Sequence, residues 1–176
     1  MGTEVLIVTG SIGSGKSVVC KLLEQKGIPV YDSDAAVKAL YERRPDLKAM
    51  VVPGIFFRPE ALAKLENAVY PVLMEDFRLW CEAKGASLVA FESAIILQKK
   101  FFDSFGDYVL LVHAPRELRL DRAVARGGRR EDMERRDALQ EDQRANARVD
   151  YVIENDGDIK DLADKLDLAL KAMGLF

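Results

Sequence analysis

A lysine and a serine directly after a glycine-rich turn are the side chains here best placed for chemistry. Gly10-Ser11-Ile12-Gly13-Ser14-Gly15-Lys16-Ser17 satisfies the pattern G-x-x-x-x-G-K-[ST] at every fixed position. Glycines let such a loop curl until successive N–H groups converge on phosphate oxygens, and the helix that follows adds its positive N-terminal end. Lys16 then reaches the β- and γ-phosphates, and the Ser17 hydroxyl holds Mg²⁺. The expected nucleotide-binding stretch is Gly10, Ser11, Ile12, Gly13, Ser14, Gly15, Lys16, Ser17 and Val18. The competing reading is a ligand-free strand-to-helix turn. The flanks argue against it: Glu4–Thr9 is apolar and β-branched like a buried strand, and Val18–Lys26 has helical apolar spacing with Gly27 as a stop.

Three further groups of residues bear on chemistry. Asp32 and Asp34 close the short apolar run Ile28-Pro29-Val30-Tyr31, on the edge where open α/β sheets bind ligands. If the chain stays extended, both carboxylates share one side, and Asp34 is the favoured acceptor for the proton of an attacking hydroxyl. Its competing role is to cap the helix expected to start at Ala35. Glu92, at the end of a third strand, is a candidate for substrate or metal-bound water, against the plain reading of a strand-end carboxylate. Between Arg116 and Arg148 there are ten arginines, eight acids and no lysine. Guanidinium groups bind phosphate oxygens bidentately, which suits a lid closing over a phosphoryl group. Arg119, Arg122 and Arg126 share one helical face ahead of Gly127-Gly128, and Arg122 and Arg126 are the preferred phosphate ligands. Arg–acid pairs on a solvated helix pair account for most of the others. His113, the lone histidine, ends a strand and is taken as packed or hydrogen-bonded.

Around these residues the expected elements are five strands, at 4–9, 28–31, 87–91, 108–112 and 151–153, separated by helices. Nearly continuous apolar strands separated by helices signify a parallel sheet covered on both faces. Glu60–Cys81 carries a helical apolar stripe that Pro71 should kink or split. Residues 41–60 are less regular, and Phe56-Phe57 fits either a core or a pocket wall.

The 176 residues suit one domain, and 49% hydrophobic with 31% charged residues is the balance of a soluble globular protein. A net charge of −3 gives no sign of a nucleic-acid partner. No apolar run approaches the roughly 20 residues of a membrane span, and the first strand leaves no room for a signal peptide, so a cytoplasmic protein is expected. Cys20 and Cys81 fall in expected helices without metal-ligand spacing and are taken as reduced thiols.

The chain resembles the dephospho-coenzyme A kinase family. The resemblance rests on Thr9–Ser17, on Gly27-Ile-Pro-Val-Tyr-Asp-Ser-Asp34, and on Leu65-Glu-Asn-Ala-Val-Tyr-Pro71. It continues through Phe91-Glu-Ser-Ala-Ile-Ile-Leu97, the arginines around 122 to 136, Gln140 and Asp150-Tyr-Val-Ile-Glu-Asn-Asp-Gly157. It implies ATP-dependent phosphorylation of the ribose 3′-hydroxyl of dephospho-CoA. It also implies a three-layer α/β phosphate-loop kinase with a five-stranded parallel sheet. To that core it adds a short helical substrate-binding insert, about 35–82, and an arginine-bearing helical lid, about 116–148, all within a single domain spanning 1–176. Carried over by motif, Lys16, Asp34 and Arg122 are catalytic, Arg126 and Asn155 join the phosphate loop in binding ATP, and Ser17 binds Mg²⁺. Asp34, Tyr70, Glu92 and Arg136 face the acceptor. Partners are then ATP and dephospho-CoA, with no nucleic acid and no membrane, in a monomer or weak homo-oligomer.

Three departures fall on the acceptor side. The segment between the second strand and the family's His-Pro motif is shortened to roughly 41–69, the histidine of that motif is Tyr70, and a glutamate after the third strand is Gln98. Shikimate kinase is the alternative, since it too has a strand ending D-x-D, and Phe57-Arg58-Pro59-Glu60 is similar to its Phe-Arg element. It lacks support after the third strand, where no Gly-Gly-Gly occurs. A nucleotide-binding relative without transfer activity is the third reading.

Overall fold

The computed structural model describes residues 2–140 and 142–176. Strands β1 (Glu4–Thr9), β2 (Val30–Asp32), β3 (Leu88–Glu92), β4 (Tyr108–His113) and β5 (Tyr151–Glu154) form one sheet in the order β2-β3-β1-β4-β5. β1 runs parallel to β3 and β4, and β4 parallel to β5. The chain forms two compact units: everything up to Val30 together with Ser87–Phe176, and Tyr31–Ala86.

In the first unit, β1 lies between two neighbours and has layers on both faces, so Leu6, Ile7 and Val8 are all fully inaccessible. Leu6, Val8, Leu110, Val112 and Ile153 pack against Val19 and Leu23 of α1 (Lys16–Gln25) and Leu162, Leu166 and Leu170 of α7 (Ile159–Ala172). Alternation sends Ile7, Val89 and Phe91 to the other face, where Phe91 meets Phe105 edge-on at 4.9 Å. A repeated tripeptide, Asp-Tyr-Val, starts β4 and β5 by one device. The backbone N–H of Asp107 donates to the Val5 carbonyl at 2.9 Å, while its carboxylate accepts from the Val5 N–H at 2.8 Å. Asp150 does the same to Val109, at 3.0 and 2.7 Å.

The arginine-rich stretch folds as α5 (Arg116–Ala125) and α6 (Arg130–Ala138). Helices were expected between all strands, but β3 and β4 are joined by two single 3-10 turns, Ile96–Gln98 and Lys100–Phe102. That stretch has no apolar repeat long enough to sustain an α-helix.

After the last two residues of β2 the second unit is helical, with α2 (Ser33–Arg43), α3 (Pro45–Ala49) and α4 (Pro59–Lys84) around Leu47, Ile55, Leu65 and Val69. Tyr31 stacks edge-on with Phe77 at 5.0 Å and Trp80 at 5.3 Å, and its hydroxyl donates to Asp76 at 2.7 Å. The structure decides between alternatives at two places here. The chain turns helical at Ser33, so Asp32 rather than Asp34 is the N-cap, its carboxylate accepting from the Ala35 N–H at 2.9 Å. The extended geometry that would have put both carboxylates on one side is therefore absent. Pro71 does not split its helix: α4 runs through it, and only the Asn67 carbonyl loses its i+4 donor. Phe56 and Phe57 belong to no core, being 68% and 67% exposed.

One buried side chain ties three segments of the first unit together. The Thr9 hydroxyl donates to Gln143 Oε1 at 2.9 Å, and Gln143 Nε2 donates to the Ala94 carbonyl at 2.8 Å. Gln143→Ala strands both groups, one of them on the fully buried Thr9. We expect urea unfolding to show a loss of about 2 kcal/mol, the scale of unsatisfied buried polar groups.

Candidate active site

Gly10 to Gly15 form the turn between β1 and α1, with Gly10, Gly13 and Gly15 at φ of 149°, 76° and 104°. All three are required by crowding as well as by conformation. A Cβ on Gly10 would collide with the Val112 carbonyl, one on Gly13 with the Arg119 carbonyl, and one on Gly15 with the Asn155 amide. The chain turns helical at Lys16, and Gly15 stands at the N-cap position with no side-chain cap. The first-turn amides of α1 therefore have no side-chain oxygen competing for them.

Three carbonyls of the loop are occupied. Lys16 Nζ donates to the Gly10 carbonyl at 2.6 Å, Arg119 Nη1 to that of Ile12 at 3.1 Å, and Asn155 Nδ2 to that of Ser14 at 2.8 Å. A trans peptide carries its C=O and the following N–H in opposite directions. Holding the Ser14 carbonyl outward thus turns the Gly15 N–H toward the concave side, where an anion would sit. Among the described residues, the amides of Gly13 and Gly15 donate to no protein acceptor. Asn155 is 6% exposed, so this hold is shielded from water.

The expected site residues fall in both units. In the first, Arg122 Nη1 donates to the Asn155 carbonyl at 3.0 Å, joining Arg122, Asn155 and the loop in one chain of hydrogen bonds. Arg126 is exposed and donates to the Arg122 carbonyl at 3.2 Å. Arg136 is exposed on α6, Glu92 is half-buried at the end of β3, and Ser17 is exposed in the first turn of α1. Val18 packs against the core. Asp34 and Tyr70 lie in the second unit, Asp34 exposed in the first turn of α2. Burial first, and the Glu66 carboxylate second, push the Tyr70 phenol well above its ordinary range, so it stays protonated.

Several contributors escaped the sequence reading. Arg119, placed there only on a shared arginine face, is buried and bonded to the loop. Asp137 receives Arg119 Nη1 at 2.5 Å and Arg116 Nε at 3.0 Å. No spacing marks Asp137 as buried within Arg130–Ala138, where Met133 and Ala138 are the only apolar residues, so no signal was available. Gln140, noted only through the family motif, accepts from the Ile12 N–H at 2.8 Å. His113 bonds Glu154 at 2.6 Å, as a hydrogen-bonded strand-end residue. A cavity of about 440 Å³ beside the loop is lined by Ser11, His113, Arg116, Gln140, Asp142 and Arg144. Within it Arg144 grips the Asp142 carboxylate and draws it down to about 2, so both remain charged at neutral pH.

Comparison with known proteins identifies what the chain is similar to. A family model described as dephospho-CoA kinase matches residues 4–53 and 44–161. A dephospho-CoA kinase of Bacteroides fragilis is 33% identical, over 86% of this chain and 84% of its own length. The crystal structure of TT1252 from Thermus thermophilus superposes with a TM-score of 0.82 at 33% identity, covering 98% of this chain and 97% of that one. A shikimate kinase from Acinetobacter baumannii has a TM-score of 0.62 at 20% identity, over 99% and 96% of the two chains, a likeness of fold alone.

The two kinds of glycine can be told apart by substitution. Gly127 has a φ of 97° but nothing within 4 Å of a Cβ, so Gly127→Ala should cost only backbone strain, about 1 kcal/mol in a thermal melt. Gly13→Ala adds a clash with backbone that cannot yield. It should lower the melting temperature further and abolish ATP binding in a calorimetric titration.

Proposed function

The chain belongs to the dephospho-CoA kinase family, and we propose that it moves the γ-phosphoryl group of ATP to the ribose 3′-hydroxyl of dephospho-CoA over the loop at residues 10–17. The carbonyls of Ile12 and Ser14, held by Arg119 and Asn155, carry the donor side of this reading, because they leave inward amides for phosphate oxygens. A shikimate kinase reading is not favoured: its likeness lies in the fold, and β3 is followed by Ser93-Ala94-Ile95 rather than a glycine run.

In the transfer, the acceptor oxygen forms a bond to the γ-phosphorus as the bond to the β,γ-bridging oxygen breaks, and ADP leaves. Lys16 neutralises charge on the transferring group, and Asp34 takes the hydroxyl proton. Asp34 suits that role because Asp32, not Asp34, serves as the cap of α2. Mg²⁺ fits the donor set. It keeps several waters and takes phosphate oxygens as ligands, so the exposed Ser17 hydroxyl suffices from the protein. Among the described residues no group of three or more His, Cys, Asp or Glu could hold a metal unaided. When bound, the ion neutralises the β- and γ-phosphates.

Arg122 and Arg126 are proposed for the phosphates, Asn155 for a position beside the adenine, and Tyr70, Glu92 and Arg136 for the acceptor. The stretch 116–148 serves as the lid and 35–82 as the acceptor-binding segment of a single kinase domain. No helix of the described residues is long and apolar enough to cross a membrane. A cytoplasmic location and a monomer or weak homo-oligomer are part of the same proposal.

A coupled ADP-release assay offering dephospho-CoA and shikimate side by side tests the assignment. Release with dephospho-CoA is expected, and release with shikimate alone would overturn it. Lys16→Ala should abolish turnover. Asp34→Asn should keep ATP affinity and cut turnover by about 10²-fold or more, the scale of losing a proton acceptor; full activity in that variant would remove Asp34 from the mechanism.

A further inference from the structure

The peptide groups flanking Ile12 are both gripped by the arginine-rich segment. The Ile12 N–H donates to Gln140 Oε1 at 2.8 Å, and the Ile12 carbonyl accepts from Arg119 Nη1 at 3.1 Å. Arg119 is itself fixed on three sides. Its Nε donates to the Ala114 carbonyl at 3.0 Å, its Nη1 faces Asp137 Oδ1 at 2.5 Å, and the other Asp137 oxygen is held by Arg116 Nε at 3.0 Å. The side chains of Arg119 and Asp137 are only 10% and 9% exposed. A desolvated ion pair of this kind is a poor source of net stability but holds its members in one geometry.

The consequence lies in the peptide joining Ile12 to Gly13. With its carbonyl pulled out toward Arg119, its N–H, which belongs to Gly13, must point the opposite way, into the concave face of the loop. Without that pull the φ of 76° at Gly13 allows rotation, since glycine resists none of it, and a carbonyl turned inward would oppose a phosphate oxygen. Gln140 prevents the same rotation in the preceding peptide. We propose that Arg119, oriented by Asp137, and Gln140 are positioning residues for the ATP triphosphate, fixing the loop crown so that the Gly13 N–H is aimed before the nucleotide arrives. Neither side chain need touch ATP. Because both come from the stretch containing α5 and α6, the placement of these helices sets the affinity of the loop.

This inference rests on the ATP-dependent reading above, and the test separates the two. Wild-type protein, Arg119→Met, Gln140→Leu and the double variant are titrated with Mg·ATP by calorimetry, melted, and assayed for the KM of dephospho-CoA. Arg119→Met should raise the Kd for ATP about tenfold or more, the scale of a lost charge-assisted hydrogen bond, with the dephospho-CoA KM unchanged. Gln140→Leu should act in the same direction, several-fold. The double variant should fall short of the product of the two effects, because both work through one turn. A folded Arg119→Met that binds ATP like wild type, or that loses only melting temperature and active fraction, overturns the proposal. Should Arg119→Met not fold, Gln140→Leu decides alone, since it leaves the ion pair in place, and a wild-type Kd there overturns it. Wild-type protein that binds no ATP would instead overturn the kinase reading.

Discussion

Every amide turned toward a bound phosphate obliges a carbonyl turned away from it, and that carbonyl needs a donor. Much of the first unit serves this constraint. Two side chains from outside the loop meet it: Arg119 for Ile12 and Asn155 for Ser14. The sheet order explains how they arrive. β4 lies beside β1, so the helix that follows β4 starts alongside the loop and delivers Arg119. β5 lies beside β4, and the Asn155 N–H bonds the His113 carbonyl at 2.7 Å, bringing its side chain to Ser14. The paired Asp-Tyr-Val starts at Asp107 and Asp150 set the register of both strands, so a contact at their opposite ends is fixed to within a residue.

The same constraint explains why two glycines cannot be replaced. The donors must approach the loop from outside, and they crowd the side on which a Cβ would stand: Arg119 against Gly13 and Asn155 against Gly15. Conformation and access therefore select glycine together. Gly127, with a similar φ and open space around it, shows conformation acting alone. A motif letter can thus have two different physical causes at two positions in one chain.

What was legible in the sequence was what is local. The loop, both flanking elements and the five strands follow from patterns shorter than a dozen residues, and burial on both faces kept the strands apolar enough to recognise. The alternatives that the sequence left open have equally local causes. Asp32-Ser33-Asp34 offers two carboxylates near one helix start; one caps and the other is favoured by the helix dipole, so residue type could not separate them. Pro71 is tolerated because one lost hydrogen bond is small beside the packing of the stripe holding Leu65, Val69, Leu73 and Phe77. Arg119 and Asp137 were not legible as a pair. They sit in separate helices, and α6 has no apolar face to show which side turns inward. Only the fold brings them together.

The absence of lysine between Arg116 and Arg148 has a structural reason in addition to phosphate binding. Exposed pairs such as Arg130 with Glu117, Asp121 and Glu134 could be made by lysine at little loss, since such pairs contribute little. Arg119 and Arg148, one buried and one half-buried, are different, because each holds two backbone carbonyls at once. Arg119 spans two carbonyls and a carboxylate, and Arg148 takes the Phe102 and Phe105 carbonyls at 2.9 and 2.5 Å through its two terminal nitrogens. An ammonium concentrates its donors at one point on a flexible stem, whereas a planar guanidinium fixes five in known directions. A segment that must hold backbone carbonyls in place on one side and present charge to phosphate on the other therefore favours arginine for both tasks. The composition of the stretch reflects the loop behind it as much as any ligand in front.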